Sequence, residues 1–166
     1  SILVGNHSIY AYDVAIMLVE LKLQKGIELR ALGDRFHGNI PYWRDLLEKY
    51  GVVAGTPENC AKLMQDKEHI LVFPGGAREA FKRQGEEHRL FWKHRTGFAR
   101  MALANKYPIT PFFVYGADLG YDILWDYSRM KKSQILAPLF SKKSKLNELL
   151  RDGELFPPIA VGRYNT

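Results

Sequence analysis

The chain has 166 residues, a length that fits one domain, and 46% of them are apolar, enough for a substantial core. Its formal net charge of +6 favours anionic partners, but the sequence contains no nucleic-acid-binding motif, so we expect no nucleic acid partner. No apolar run reaches the roughly 18 residues that a membrane-spanning helix needs. The single cysteine, Cys60, excludes an intrachain disulfide.

Strand-like and helix-like segments alternate along the first two thirds of the chain. Strands are predicted over 2–4, 27–32, 52–54, 69–73 and 109–114, and helices over 9–25, 41–50, 57–66 and 96–106. This alternation predicts an α/β fold with a mostly parallel central sheet flanked by helices. The first helix is apolar on most faces, so we expect it to be deeply buried or in contact with lipid.

The chain after residue 115 is less regular. An amphipathic helix is predicted over 121–130, and an apolar run over 135–140 lies between lysines at 131–132 and lysines at 142, 143 and 145. The basic region indicates either a surface that touches anionic lipid or an ordinary solvated face. We expect residues 1–166 to form a single domain. Because residue 1 already opens a strand, we also expect the chain to be a fragment that lacks an N-terminal membrane segment and part of the C-terminus.

The first candidate for chemistry is Asn6-His7 followed by Asp13. His7 is predicted in the turn after the first strand, where functional groups gather in parallel α/β sheets. Six helical positions differ by about 240°, so the two side chains can meet only if His7 lies off the helix with its ring folded back. Asp13 could then accept a hydrogen bond from one ring nitrogen and leave the other free to take a proton. Alternatively, His7 caps the helix and Asp13 is a solvated first-turn acid.

The second candidate is the segment Phe73-Pro74-Gly75-Gly76-Ala77-Arg78-Glu79. A strand followed by a glycine pair and an arginine can present backbone N–H groups and a guanidinium to an anion. An ordinary turn with a surface Arg–Glu pair is the alternative.

Together these motifs resemble the glycerolipid acyltransferase superfamily, whose usual signatures are His-x4-Asp and Phe-Pro-Glu-Gly-x-Arg-Ser. This chain departs from them in three places. The gap between histidine and aspartate is one residue longer, Gly75 replaces the glutamate, and Val53-Ala54-Gly55-Thr56 has no arginine where the family carries one. These departures, with further similar segments between residues 40 and 111, match the diacylglycerol acyltransferase-like branch, which includes plant phytyl ester synthases.

The resemblance implies a fold like that of glycerol-phosphate acyltransferases and transfer of a fatty acyl group from acyl-CoA or acyl carrier protein to a lipid hydroxyl. His7 would be the general base, Asp13 its partner, and no other cofactor or metal is expected. The missing arginine favours a neutral acceptor such as mono- or diacylglycerol or a long-chain alcohol. The residues that would bind substrate are Asn6, Thr56, Phe73, Pro74, Gly75, Gly76, Arg78 and Glu79.

The expected partners are therefore membrane lipid and acyl-CoA, with the enzyme associated with a membrane and its site on the cytoplasmic or plastid stromal side. Three alternatives stay open: an esterase or thioesterase acting on lipid or acyl-CoA, a lysophospholipid or glycerol-phosphate acyltransferase, and a lipid-binding module with a vestigial catalytic pair. The absence of a Gly-x-Ser-x-Gly motif agrees with direct transfer without an acyl-enzyme.

Overall fold

A computed structural model describes residues 1–141 and 144–163 and has a five-stranded parallel sheet at its centre. The strands are β1 (Ile2–Val4), β2 (Leu29–Gly33), β3 (Val52–Ala54), β4 (His69–Val72) and β5 (Ile109–Pro111), in the spatial order β3-β2-β4-β1-β5. The predicted α/β class with a parallel sheet is confirmed. Since β1 lies between β4 and β5, the residues that follow β1 emerge between two neighbouring strand ends.

The helices that accompany the sheet are α1 (Tyr12–Lys25), α2 (Trp43–Lys49), α3 (Pro57–Gln65), α4 (Gly76–Ala80) and α5 (Gly97–Ala104). Short 3-10 helices cover Ile9–Ala11, Arg35–Asn39, Ala117–Gly120 and Ala137–Phe140. Apolar side chains of the sheet, α3 and α5 form the buried core: Ile2, Val4, Ile70, Cys60, Met64 and Ala102. This packing fixes the strand ends from which the candidate site is built.

The first helix differs from the prediction in its start and in its burial. Tyr10 and Ala11 have left-handed φ angles of 59° and 58°, so the chain turns sharply and the α-helix begins only at Tyr12. None of the α1 residues is fully buried, and Ile16 and Leu23 expose 57% and 77% of their surface. Deep burial of this helix is therefore wrong, while contact with lipid stays a prediction.

The region after residue 115 also differs from the prediction. Residues Tyr121–Trp125 form a strand, β6, that pairs antiparallel with β7 (Ile159–Gly162), and a helix, α6, occupies only Tyr127–Lys132. Alternating β-forming side chains explain the strand, and the Asp126 carboxylate caps α6 by accepting a hydrogen bond from the Arg129 N–H at 2.8 Å. A further helix, α7, covers Lys145–Leu149. Of the basic residues predicted to touch lipid, Lys142 and Lys143 lie outside the described residues.

Across residues 1–141 and 144–163, no helix combines the length and the apolar character that crossing a membrane requires.

A tight turn joins β4 to α4 and depends on the absence of a side chain at Gly75. A Cβ atom there would lie 1.9 Å from Oε2 and 2.5 Å from Cβ of Glu79. Glu79 cannot move away easily, because it is fully buried and its carboxylate accepts hydrogen bonds from two main-chain N–H groups. The backbone of Gly75, with φ of −67°, would accept any residue, so close packing alone explains the glycine.

We expect Gly75→Ala to destabilise the protein by about 1–3 kcal/mol, the usual cost of overpacking a core, or more if the Glu79 hydrogen bonds break. The matched control is Gly38→Ala, because a Cβ at Gly38 meets no atom within 4 Å. That variant should stay within about 0.5 kcal/mol of wild type. Urea unfolding followed by circular dichroism measures both, and equal stability of the two variants would contradict the packing argument.

Candidate active site

The His7 imidazole lies in the turn after β1, packed against an aromatic ring. Its centroid is 4.6 Å from that of Phe73, the residue that follows β4. The ring nitrogen Nδ1 lies 2.9 Å from the carbonyl oxygen of Ser8. Because a carbonyl oxygen can only accept, Nδ1 carries the proton and Nε2 keeps its lone pair. Burial lowers the pKa of His7, which favours this neutral form at pH 7.

Asp13 is connected to His7 through Ser8 rather than by the direct hydrogen bond that we predicted. The Ser8 hydroxyl donates to Oδ1 of Asp13, while the Ser8 carbonyl accepts from the ring. Among the described residues no donor reaches the second oxygen, Oδ2, although this atom is buried. The negative charge of Asp13 still acts on the imidazole and raises its pKa, against the larger effect of burial. The spacing argument thus identified Asp13 correctly as a residue close to the His7 ring. The predicted direct hydrogen bond between them is replaced by two contacts through Ser8.

The main chain of His7 is bound by two charged side chains. Its N–H donates to Oε1 of Glu79 at 2.7 Å, and its carbonyl oxygen accepts from Nζ of Lys82 at 2.5 Å. The second Glu79 oxygen accepts from the Phe91 N–H at 2.9 Å. Lys82 also pairs with Asp118 at 3.0 Å, and Asp118 accepts from the Ile9 N–H at 2.9 Å.

Glu79 and Asn6, both predicted to bind substrate, are occupied by internal contacts. The Glu79 carboxylate is fully buried and holds two main-chain groups. The Asn6 side chain donates to the carbonyl of Val114 at 2.9 Å and accepts from its N–H at 2.8 Å. The Asn6 side chain thereby joins the turn after β1 to the segment after β5, in place of the main-chain hydrogen bonds that would continue the sheet. Both residues support the position of His7 from within the protein.

The glycine-rich turn surrounds the site on the β4 side. The Gly76 N–H donates to the Phe73 carbonyl at 3.0 Å, which leaves it unavailable to an anion. The guanidinium of Arg95 donates to the carbonyls of Pro74 at 3.2 Å and Gly75 at 2.9 Å, and this side chain is 39% exposed. A basic group therefore does lie on the turn, but the sequence motif does not contain it.

Arg78, the cation of the predicted anion site, faces the protein interior. Its Nη2 pairs with Oε1 of Glu86 at 2.5 Å, and its guanidinium lies 4.1 Å from the centroid of the Phe91 ring. Only about a tenth of the side chain is exposed. Its predicted contact with substrate stays a prediction, and these contacts describe a residue that holds the segment after α4 in place.

A cavity of about 420 Å³ lies between the sheet, α3 and α5. Most of its lining is apolar, with Thr56 and Arg100 as polar groups: Leu32, Gly55, Thr56, Pro57, Cys60, Val72, Gly97, Phe98, Arg100 and Met101. Its lining residue Val72 directly precedes Phe73 along the chain, but Phe73 and His7 do not line the cavity themselves. Thr56 caps α3 by accepting from the Asn59 N–H at 3.2 Å. Burial raises the pKa of the Cys60 thiol, which disfavours a thiolate nucleophile.

Sequence reasoning missed Ser8, Lys82 and Asp118, which contact His7 or its immediate support. Lys82 stands between Phe81 and Arg83, and Asp118 between glycines at 116 and 120, in a part of the chain predicted to be irregular. No spacing rule connects Lys82 and Asp118 with His7, because they are distant along the chain. A lysine directly after two apolar residues, Ala80 and Phe81, and an acid in a glycine-rich turn were the available signals. Within the described part of the chain, no group of three His, Cys, Asp or Glu side chains is placed to hold a metal ion.

Comparison with known proteins places this geometry in a family context. The chain is 34% identical over 158 residues to phytyl ester synthase 2, chloroplastic, of Arabidopsis thaliana, which covers 91% of the chain and 22% of that protein. It is 28% identical over 121 residues to the human DGAT1/2-independent enzyme synthesizing storage lipids, covering 73% of the chain and 37% of that protein. Diacylglycerol O-acyltransferase 2 of Dictyostelium discoideum is 25% identical over 141 residues, 83% of the chain and 39% of that protein.

The chain therefore spans about a fifth of the length of the plant relatives, and no solved structure matches it. The sequence profile of the Acyltransferase family matches residues 1–115, which include His7, Asp13 and the glycine-rich turn. With these relatives and this parallel sheet, the chain belongs to the acyltransferase family, in the diacylglycerol acyltransferase-like branch of the glycerolipid acyltransferases.

Proposed function

We propose that this chain is the catalytic core of an O-acyltransferase that moves a fatty acyl group from acyl-CoA, or from acyl carrier protein, to a lipid hydroxyl. The observation that carries the proposal is the His7 ring, whose Nδ1 faces the Ser8 carbonyl so that Nε2 is left as the basic nitrogen, while burial lowers the pKa of the ring and favours its neutral form. An alcohol becomes a good nucleophile only as a base removes its proton, and a neutral imidazole is suited to that task near pH 7.

The reaction proceeds by direct transfer. Nε2 of His7 takes the hydroxyl proton while the oxygen attacks the thioester carbonyl, and the new ester bond forms as the carbon–sulfur bond breaks. The imidazolium then returns the proton to the departing thiolate. Asp13 stabilises the imidazolium through its charge, and Ser8 keeps the ring oriented by accepting from Nδ1. The Ser8 hydroxyl holds Oδ1 of Asp13 and so fixes the position of this carboxylate relative to the ring.

The cavity between the sheet, α3 and α5 is proposed to receive the fatty acyl chain. Its volume of about 420 Å³ and its apolar lining suit a hydrocarbon. The acceptor is proposed to be neutral, such as mono- or diacylglycerol or a long-chain alcohol. Arg78 supports this choice, because its charge is already neutralised by Glu86 and is poorly placed for a glycerol phosphate. The names of the relatives, phytyl ester synthase and diacylglycerol O-acyltransferase, agree with neutral acceptors.

Association with a membrane is proposed to deliver the lipid acceptor. On α1 the side chains of Ile16, Val19 and Leu23 are more than half exposed and follow helical spacing, which produces an apolar face. Lys25 at the end of the same helix would favour anionic lipid, while Lys22 already pairs with Glu28 at 3.0 Å. A cytoplasmic or stromal orientation of the site remains part of the proposal.

The replacement His7→Ala tests the proposal. Loss of the general base should lower the rate of acyl transfer by about 10²–10⁴-fold. The turn should stay folded, because Glu79 and Lys82 bind the main chain of residue 7 and not its side chain. The measurement incubates membranes that contain the protein with radiolabelled acyl-CoA and a panel of lipid alcohols, and separates the esters by thin-layer chromatography.

The matched control is His88→Ala, which removes an exposed histidine from the same chain. It should retain wild-type activity. Release of free fatty acid without ester would identify a hydrolase instead, and equal ester formation by His7→Ala and wild type would reject His7 as the base.

Asp13→Asn tests the supporting charge through pH dependence. Burial lowers the pKa of His7 below its usual value of about 6.5, so the rate should fall on the acid side only below that pH. Since Asp13 raises the pKa of His7, its neutralisation should move the acid limb of the kcat profile to still lower pH and reduce the plateau rate. A limb that moves to higher pH, or an unchanged plateau, would contradict the role of Asp13.

A further inference from the structure

Two residues outside the known motifs hold the main chain of His7. Lys82, 1% exposed, donates from Nζ to the His7 carbonyl oxygen at 2.5 Å and pairs with Asp118 at 3.0 Å. Asp118, 6% exposed, accepts with its other oxygen from the N–H of Ile9 at 2.9 Å. The pair thereby holds the peptide groups on either side of Ser8, the residue that orients the imidazole.

The position of His7 depends on such contacts because the sheet has ended. The last main-chain hydrogen bond from this strand to β4 joins the Gly5 N–H to the Val72 carbonyl at 3.3 Å. Beyond it the chain enters a turn that leads into two left-handed residues, Tyr10 and Ala11. A turn without neighbouring strands can shift, and a shift of the catalytic base by about 1 Å is enough to lower a rate strongly.

A buried ion pair is an inefficient way to stabilise a fold. Removing both charges from water costs more than an apolar pair of similar volume would, so such pairs are weak evidence for stability. Here the pair lies against the main chain of the residue that carries the proposed chemistry, and each partner makes a second hydrogen bond to that turn. Their geometry is thus directed at the turn rather than at the packing of the core.

We propose that Lys82 and Asp118 are positioning residues that fix the His7 turn for acyl transfer without touching substrate. The inference rests on the proposed function, because it concerns the same base. It also joins residue 118, which follows the segment 1–115 shared with the family, to the catalytic turn. The segment 116–120 therefore contributes to the site through Asp118.

The charges of the pair act on the imidazole in opposite directions. Lys82 lowers the pKa of His7 and Asp118 raises it, alongside Asp13 from α1, while Glu79 from α4 binds the His7 N–H. A residue that only filled space would not have this effect. The two single neutralisations should consequently shift the pH profile to opposite sides.

The experiment compares Lys82→Met, Asp118→Asn and the double variant with wild type. Lys82→Met should move the acid limb of kcat to higher pH, and Asp118→Asn should move it to lower pH. The double variant contains no unpaired buried charge, and the amide introduced by Asp118→Asn would still offer an oxygen to the Ile9 N–H. It should fold and lose about ten- to a hundredfold in kcat, with KM changed less than about twofold, because only the hold on the His7 carbonyl is missing.

The control neutralises an exposed ion pair, Arg163–Asp122 at 2.8 Å, by Arg163→Met with Asp122→Asn, and should leave kcat unchanged. If a single variant fails to fold, the kcat of the double variant alone tests the inference. Wild-type kcat in the folded double variant, or shifts of both single variants to the same side, would overturn the inference.

The outcome can be separated from that of the proposed function. Wild-type protein that forms no ester refutes the transferase proposal alone. In that case an NMR titration of the His7 ring, assigned with His7→Ala, still tests the pair. A pKa that rises in Lys82→Met and falls in Asp118→Asn supports the inference, and an unchanged pKa rejects it.

Discussion

The His7 turn depends on one constraint: the peptide groups of His7 lie beyond the last hydrogen bonds of a parallel sheet and still require partners. Buried main-chain groups without partners are costly, so the fold must supply them from side chains. Glu79 binds the N–H and Lys82 binds the carbonyl, both from the segment that follows the glycine-rich turn. The turn after β4 is thus the support of the turn after β1, and the two motifs of the sequence are one structural unit.

This arrangement also sets the protonation of the histidine. A ring packed against Phe73 is poorly solvated, which disfavours the imidazolium, while the nearby carboxylates of Asp13 and Asp118 partly offset the effect. The Ser8 carbonyl fixes the proton on Nδ1. An imidazole that is neutral at rest and stabilised by nearby carboxylates once protonated has both properties that the proposed proton abstraction requires.

The sequence predicted the parallel sheet well, because most strands of the first 115 residues contain a short apolar run, such as Ile2–Val4 in β1, bounded by turn residues. It also located His7 correctly at a strand end. It could not predict that Glu79 and Asn6 are internal supports, since a polar residue in a motif has the same letter whether it binds a ligand or a main-chain amide. The helix predicted over 121–130 is wrong in its first half, because Tyr121–Trp125 pair as a strand with β7, which lies more than 30 residues away along the chain. Lys82 and Asp118 were out of reach for the same reason.

The close packing of Gly75 against Glu79 makes these two positions mutually exclusive sites for a carboxylate. Where the superfamily signature carries glutamate in the Phe-Pro-Glu-Gly order, this chain carries glycine, and its acid lies four residues later, in the space that a side chain at 75 would need. A lineage can therefore place its acid at one position or the other, but conversion between the two requires both residues to change together. Positions 75 and 79 should therefore covary between the two branches. A chimaera that exchanges only one of them would have either a steric clash or an empty cavity at this place.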